Sequence, residues 1–163
     1  MNFGKLIIQS IKKNHPTELG EAATLNTRIQ EFDFEFVVAD VDKYSFVFHK
    51  IGITNRASKA RLSDKELKQK AETLANKITY LPQALEVVEL DAHSSKVQLR
   101  SRTDVQQESE SDYFEVILSG DGHVVLERFL YDPRRQQKKR HAFHVTERIL
   151  ENLVNDLLTA IRH

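Results

Sequence analysis

The chain sets Phe32, Phe34, Phe36, Phe46 and Phe48 at every second position on either side of a polar break, Asp40-Val41-Asp42-Lys43. Successive side chains on a strand point to opposite faces, so residues two apart share one face. The pattern predicts a hairpin over residues 28 to 54 with one aromatic face. Such a face must be covered, which restricts the fold to architectures that lay apolar elements against it. The second strand changes phase, because Tyr44, Phe46 and Phe48 are followed by Ile51 and Ile53. A bulge near His49-Lys50, one extra residue, would return all five to one face; a plain strand with both faces partly buried is the equal alternative.

Three helical patterns are available to cover it. Residues 3 to 13 place Phe3, Leu6, Ile7 and Ile11 at helical spacing, with lysines elsewhere on the wheel. Pro16 and Gly20 then punctuate the chain, and residues 18 to 27 read as a loop. Ser63-Asp64-Lys65-Glu66 is a capping box opening a helix with Leu67, Ala71, Leu74, Ala75 and Ile78 on one stripe, ended by Pro82. The last helix, capped by Thr146, spreads Ile149, Leu150, Leu153, Val154, Leu157, Leu158 and Ile161 over nearly half its circumference. Burying that stripe is worth roughly 10–20 kcal/mol before chain entropy, and it needs more than one neighbour.

Period two returns between these helices. Strands are expected at residues 85 to 90 and around Val97 and Leu99, with turn chemistry between them. Asp121-Gly122 reads as a two-residue turn that pairs Gly120 with His123, Leu118 with Val125 and Glu115 with Arg128. The order is helix, two strands, helix, four strands, helix. It predicts a single α+β domain over residues 1–163, an antiparallel sheet of about six strands packed by an N-terminal, a middle and a long C-terminal helix. In element order alone this is similar to small secretion-chaperone-like domains, without their usual acidity.

Composition narrows the chemistry. The absence of cysteine excludes disulfides, thiolate nucleophiles and thiolate zinc sites. Twenty-four basic residues against twenty-four acidic ones leave no net field to draw a nucleic acid or a membrane. No run approaches the ~20 apolar residues of a transmembrane helix, and the first residues lack a signal-peptide pattern. A cytoplasmic location is the expectation. Phosphate-loop, dinucleotide and nucleophile-elbow motifs are missing. No catalytic residue, metal ligand or cofactor is assigned. His141, His144 and Glu147 have a ligand-like spacing, but it straddles a loop and a helix start, so they read as surface residues. His49 is expected across the hairpin from Asp33 or Glu35 as a charge pair, and His123 as strand surface. Glu31, Asp33 and Glu35 read as the polar side of a half-buried strand; holding a cation or meeting a basic partner is the functional alternative.

Two basic clusters stand out. Residues 50 to 70 include Arg56, Lys59 and Arg61, and residues 134 to 140 hold Arg134, Arg135, Lys138, Lys139 and Arg140. If they met in space they would form a surface for phosphates, although no aromatic residue is interleaved to stack on bases. The plain reading is a soluble sheet edge, or internal pairing with Glu108, Glu110 and Asp112. Phe3, Ile7 and Ile11 are expected to meet Leu150, Val154 and Leu158, either within the chain or across a homodimer interface, with the N-terminal helix lying on a membrane as the third reading. The expectation is a non-enzymatic interaction module, protein-binding or self-associating and chaperone-like. Nucleic-acid or polyanion binding through the clusters is the alternative. A small apolar-ligand carrier between sheet and last helix is the second alternative.

Overall fold

In the computed structural model, residues 1–15, 22–58, 61–101 and 110–162 are described. They form helices α1 (Phe3–Asn14), α2 (Asp64–Lys77) and α3 (Glu147–Ile161). The strands are β1 (Ala23–Ile29), β2 (Phe32–Val41), β3 (Ser45–Asn55), β4 (Leu85–Asp91), β5 (Lys96–Ser101), β6 (Ser111–Ser119), β7 (His123–Asp132), β8 (Gln137–Arg140) and β9 (Phe143–Thr146). All pairings are antiparallel, in the order β1-β2-β3-β7-β6-β5-β4, with β8 added to β7 and β9 to β3. The α+β class and the three helices are as the sequence implies. The sheet is larger than six strands, because β1, β8 and β9 join it.

The aromatic hairpin builds the core. Phe32, Phe34, Phe36, Phe46, Phe48, Ile51 and Ile53 are all buried on one face. The anticipated bulge is present: Val37 pairs with Lys50 and Val38 with Phe48, leaving His49 as the extra residue. Tyr44 is the exception, since it lies before β3 and is exposed. Ring contacts run without a break from Phe32 through Phe3, Phe34, Phe36, Phe48 and Phe143 to Phe114, with Phe46 on Phe48, at centroid distances of 5.4 to 6.4 Å. Each such pair adds about 0.5–1.5 kcal/mol beyond burial.

All three helices lie against this face. Thr146 caps α3 by accepting from the Ile149 N–H at 3.2 Å, and Ser63 caps α2 by accepting from Glu66 N–H at 3.2 Å. The broad α3 stripe finds its several neighbours in α1, α2, β3, β7 and β9. Helix α1 approaches α3 closely at Gly4, where an added Cβ would sit 2.5 Å from the Glu151 carbonyl oxygen. Asn55, a buried polar residue, ties three elements together. Its Nδ2 donates to the Ile161 carbonyl at 2.7 Å, its Oδ1 accepts from Ala57 N–H at 3.0 Å, and its own N–H donates to Gly122 at 2.8 Å.

Three local expectations are corrected. Residues 23–27 of the expected loop, with Arg28 and Ile29 from the start of the expected hairpin, are edge strand β1; its outward positions Thr24, Asn26 and Arg28 alternate with half-buried Leu25, Thr27 and Ile29. Helix α2 stops at Lys77, before Pro82, with the Ile78 N–H closing on Leu74. The β6–β7 register is one residue off the expected one: Ser119 pairs with His123, Leu118 with Val124 and Glu115 with Glu127. The loop holds three residues, and Gly122 takes a φ of 91° that suits glycine. Gly120 is bound from outside, its N–H to Ser95 at 2.8 Å and its carbonyl to Leu62 N–H at 3.1 Å.

Candidate functional site

The face of the sheet opposite the helices carries polar and charged side chains in cross-strand rows. One row runs Arg28, Asp33, Thr54, His123; the next runs Asn26, Glu35, Gly52, Val125; a third runs Val37, Lys50, Glu127. At their centre Gly52 contributes no side chain. The gap opens a hollow of about 520 Å³ lined by members of these rows. Polar groups converge on it in pairs. Lys50 Nζ lies 2.7 Å from Glu35 Oε1, Arg28 Nε lies 2.7 Å from Asp33 Oδ1, and Arg56 Nε is 3.7 Å from Asp33 Oδ2.

His123 opens β7 and stands directly across from Thr54. The Thr54 hydroxyl and His123 Nδ1 are 2.7 Å apart. Burial disfavours the imidazolium and lowers the His123 pKa below the ordinary histidine value, against the opposing pull of Asp121. A hydroxyl on an imidazole nitrogen is half of a nucleophile–base pair. Among the described residues no hydrogen bond fixes the other ring nitrogen, so the arrangement offers neutral hydrogen-bonding groups and no assembled triad.

Gly52 is informative because the fold does not require it. An added Cβ would meet nothing closer than 3.8 Å, the Glu35 carbonyl oxygen and Lys50 Cε. Its φ lies outside the left-handed region. Glycine inside a strand weakens it, and often marks a place where another molecule comes close.

Of the sequence-derived candidates, Arg56 reaches the rim through Asp33, and the apolar ones lie elsewhere. Phe3, Ile7, Ile11, Leu150, Val154 and Leu158 are all buried inside the single chain, where α1 packs on α3. Any second chain would have to use other residues. The basic clusters come near each other at Glu127, which faces Lys50 and meets Arg140, while Arg56 and Arg61 stand apart from Arg134 and Arg135. Arg56 follows β3 at the His123 end of β7, and Arg61 precedes Leu62, which bonds the Gly120 loop at the same end. Arg134 and Arg135 follow Asp132 at the other end of β7, ten residues or roughly 30 Å away. Lys59 lies outside the described residues.

In the second cluster Arg134 and Arg135 sit in a turn, and Lys138, Lys139 and Arg140 are on β8. These residues belong to the β7–β8 hairpin, and much of their charge is matched within the chain. Lys138 reaches Glu115 at 3.0 Å, Arg140 reaches Glu127 at 3.0 Å, and Arg135 approaches Asp132 at 3.8 Å. Asp112 pairs instead with Arg128, and Glu108 lies outside the described residues. Arg134 and Lys139 are exposed. Aromatic rings interleave with these cations in space, though not in sequence: Lys138 sits 3.9 Å from the Phe129 ring and Arg100 4.6 Å from Tyr113.

The histidine expectations are also settled by register. Glu35 faces Gly52 and Asp33 faces Thr54, so His49, the bulged residue, has neither carboxylate opposite it. Glu147 pairs with Lys12, and no group of metal-ligating side chains occurs among the described residues. No described helix is long and apolar enough to cross a membrane. The hollow was signalled in sequence by a glycine set among the apolar residues of a strong strand, and in part by the Asp33 and Glu35 stripe that lines it. No family model matches the chain, and no curated protein or solved structure matches it.

Proposed function

We propose that this chain is a non-enzymatic interaction module that holds a segment of a partner protein on the helix-free face of its sheet. Gly52 carries the reading. A central strand gives up a side chain it has room for, and the resulting hollow is ringed by hydrogen-bonding and charged groups. A rigid sheet backed by three helices is a stable platform for such a site. The mixed, balanced charge of the rim suits a protein surface better than a polyanion, which needs uncompensated positive charge.

The test places a photo-crosslinking amino acid at Asn26, on the rim, and at Lys68, on the helical layer. The rim probe is expected to give a discrete adduct in cells that disappears when Gly52 is replaced by valine. No adduct, or one indifferent to Gly52→Val, overturns the reading. An adduct of twice the chain mass identifies the self-associating form, which light scattering checks directly.

The interleaving of Arg100, Tyr113, Phe129 and Lys138 favours a second reading, a single-stranded nucleic acid or polyanion on the β7–β8 end of the same face. Oligonucleotide binding that falls steeply with salt would support it, and no binding at low salt dismisses it.

A further inference from the structure

We infer that the hollow over Gly52 is a receptor for a guanidinium group, an arginine side chain of the partner protein that takes the place now held by the Lys50 ammonium. The inference rests on the helix-free face being a partner-binding surface. Lys50 and Gly52 project to the same face. Lys50 Cε lies 3.8 Å from the position a Gly52 Cβ would take, while its Nζ is 2.7 Å from Glu35. The lysine stem therefore lies beside the space the glycine vacates, and the chain holds a cation of its own on the carboxylate of the hollow.

Glu35 meets the Lys50 ammonium, while Asp33 is met by Arg28 at 2.7 Å and Arg56 at 3.7 Å, and the Thr54 hydroxyl bonds His123. Glu35 and Asp33 sit two residues apart on the same face of β2, roughly 7 Å along the strand, and the Thr54 hydroxyl stands across from Asp33. A guanidinium presents five donors in a planar fork and can meet two acceptors at once, where an ammonium is a point charge. The resident partners are long and flexible; the Lys50 side chain, which must swing aside, is 26% exposed, and that of Arg28 is 61% exposed. Exposed ion pairs contribute little and release readily. An anion would fare worse. Binding it would draw Lys50, Arg28 or Arg56 from their carboxylates and bring a like charge beside Glu35 and Asp33. His123 is held neutral by burial, so it neither repels a cation nor helps to hold an anion.

The experiment is an amide NMR titration of the isolated chain with N-acetyl-L-arginine amide, and with N-acetyl-L-glutamate amide as the opposite probe. The arginine probe is expected to shift the Gly52, Thr54 and His123 amides saturably. Lys50→Ala should tighten it by about threefold to tenfold by removing the competing cation, and Glu35→Gln should weaken it by about tenfold. Gly52→Val, which has room to fold, should abolish the response. Saturable shifts with the glutamate probe, weaker arginine binding in Lys50→Ala, or no saturable response to arginine each overturn the inference. A partner adduct without arginine binding removes the guanidinium site alone. Arginine binding without any adduct removes the partner-segment reading alone.

Discussion

Asn55 makes a sharp test of how this fold is held together. It is 7% exposed and joins the end of β3 to the last carbonyl of α3 and to the turn that follows the strand. The final carbonyls of a helix have no partner within it, so the Ile161 carbonyl relies on an outside donor, and Asn55 Nδ2 supplies one at 2.7 Å. Asn55→Ala removes two hydrogen bonds of about 1 kcal/mol each. It also leaves a carbonyl and the Ala57 N–H short of partners in a buried place, for a total loss of about 2–4 kcal/mol. Urea unfolding followed by circular dichroism should show it. With a slope of about 2 kcal/mol per molar urea, the midpoint should fall by about 1–2 M. Asn55→Asp keeps the acceptor for Ala57 but sets a carboxylate oxygen against the Ile161 carbonyl. It should cost at least as much at neutral pH and recover in part as the carboxyl protonates. A loss under about 0.5 kcal/mol for Asn55→Ala would refute the hub role, because surface substitutions already span that range.

Gly4→Ala gains about 1 kcal/mol of helix propensity but drives a methyl to 2.5 Å from backbone that cannot swing aside. Overpacking of about 1–3 kcal/mol should win, and the melting temperature should drop by a few degrees; an unchanged or higher value would show that α1 and α3 separate freely. Gly52→Val should leave stability unchanged or raise it by up to about 1 kcal/mol, since the site has room and valine suits strands. A clear loss in chemical denaturation would mean that the fold does require the glycine. His123 is favoured neutral in the folded state, so the unfolded chain binds its proton more tightly. Its contribution is fully present above the unfolded value of about 6.5 and is lost as the pH falls through the lower folded value. The stability difference between wild type and His123→Gln should therefore change as the pH falls from 7.5 to 5; a constant difference contradicts the assignment.

The aromatic hairpin was legible because every inward position on both strands is large and apolar, and nothing else competes for that face. β1 was not, since its outward residues are small or polar and its inward ones include Thr27. β8 is four polar residues, Gln-Lys-Lys-Arg, with no strand pattern at all. It is extended because Lys138 and Arg140 reach the carboxylates of Glu115 and Glu127. That need is invisible in sequence, because it arises from the register. With the expected two-residue turn, Glu115 would face Arg128. In the three-residue loop it faces Glu127, a like-charge pair that destabilises a sheet unless cations are brought to it. The loop length was decided by Ser95 and Leu62, which bind Gly120 from other parts of the chain.

The site depends on the bulge in the same indirect way. Phe48 points into the core, so strict alternation would send Lys50 and Gly52 inward as well, and Ile51 and Ile53 out to solvent. The extra residue at His49 reverses the phase. It buries the two isoleucines and delivers the glycine and its lysine to the helix-free face, beside Glu35. The backbone insertion does this, and the imidazole does not: among the described residues His49 Nδ1 has no hydrogen-bond partner. His49→Ala should therefore change stability by less than about 1 kcal/mol and leave arginine binding intact. Deleting His49 removes the bulge but keeps the phase, because Phe48, Lys50, Ile51 and Gly52 then alternate regularly against Val38 and Val37. The variant should still unfold cooperatively by calorimetry and bind arginine at Gly52. Loss of cooperative unfolding would show that the fold needs the bend at the extra residue and not the phase alone.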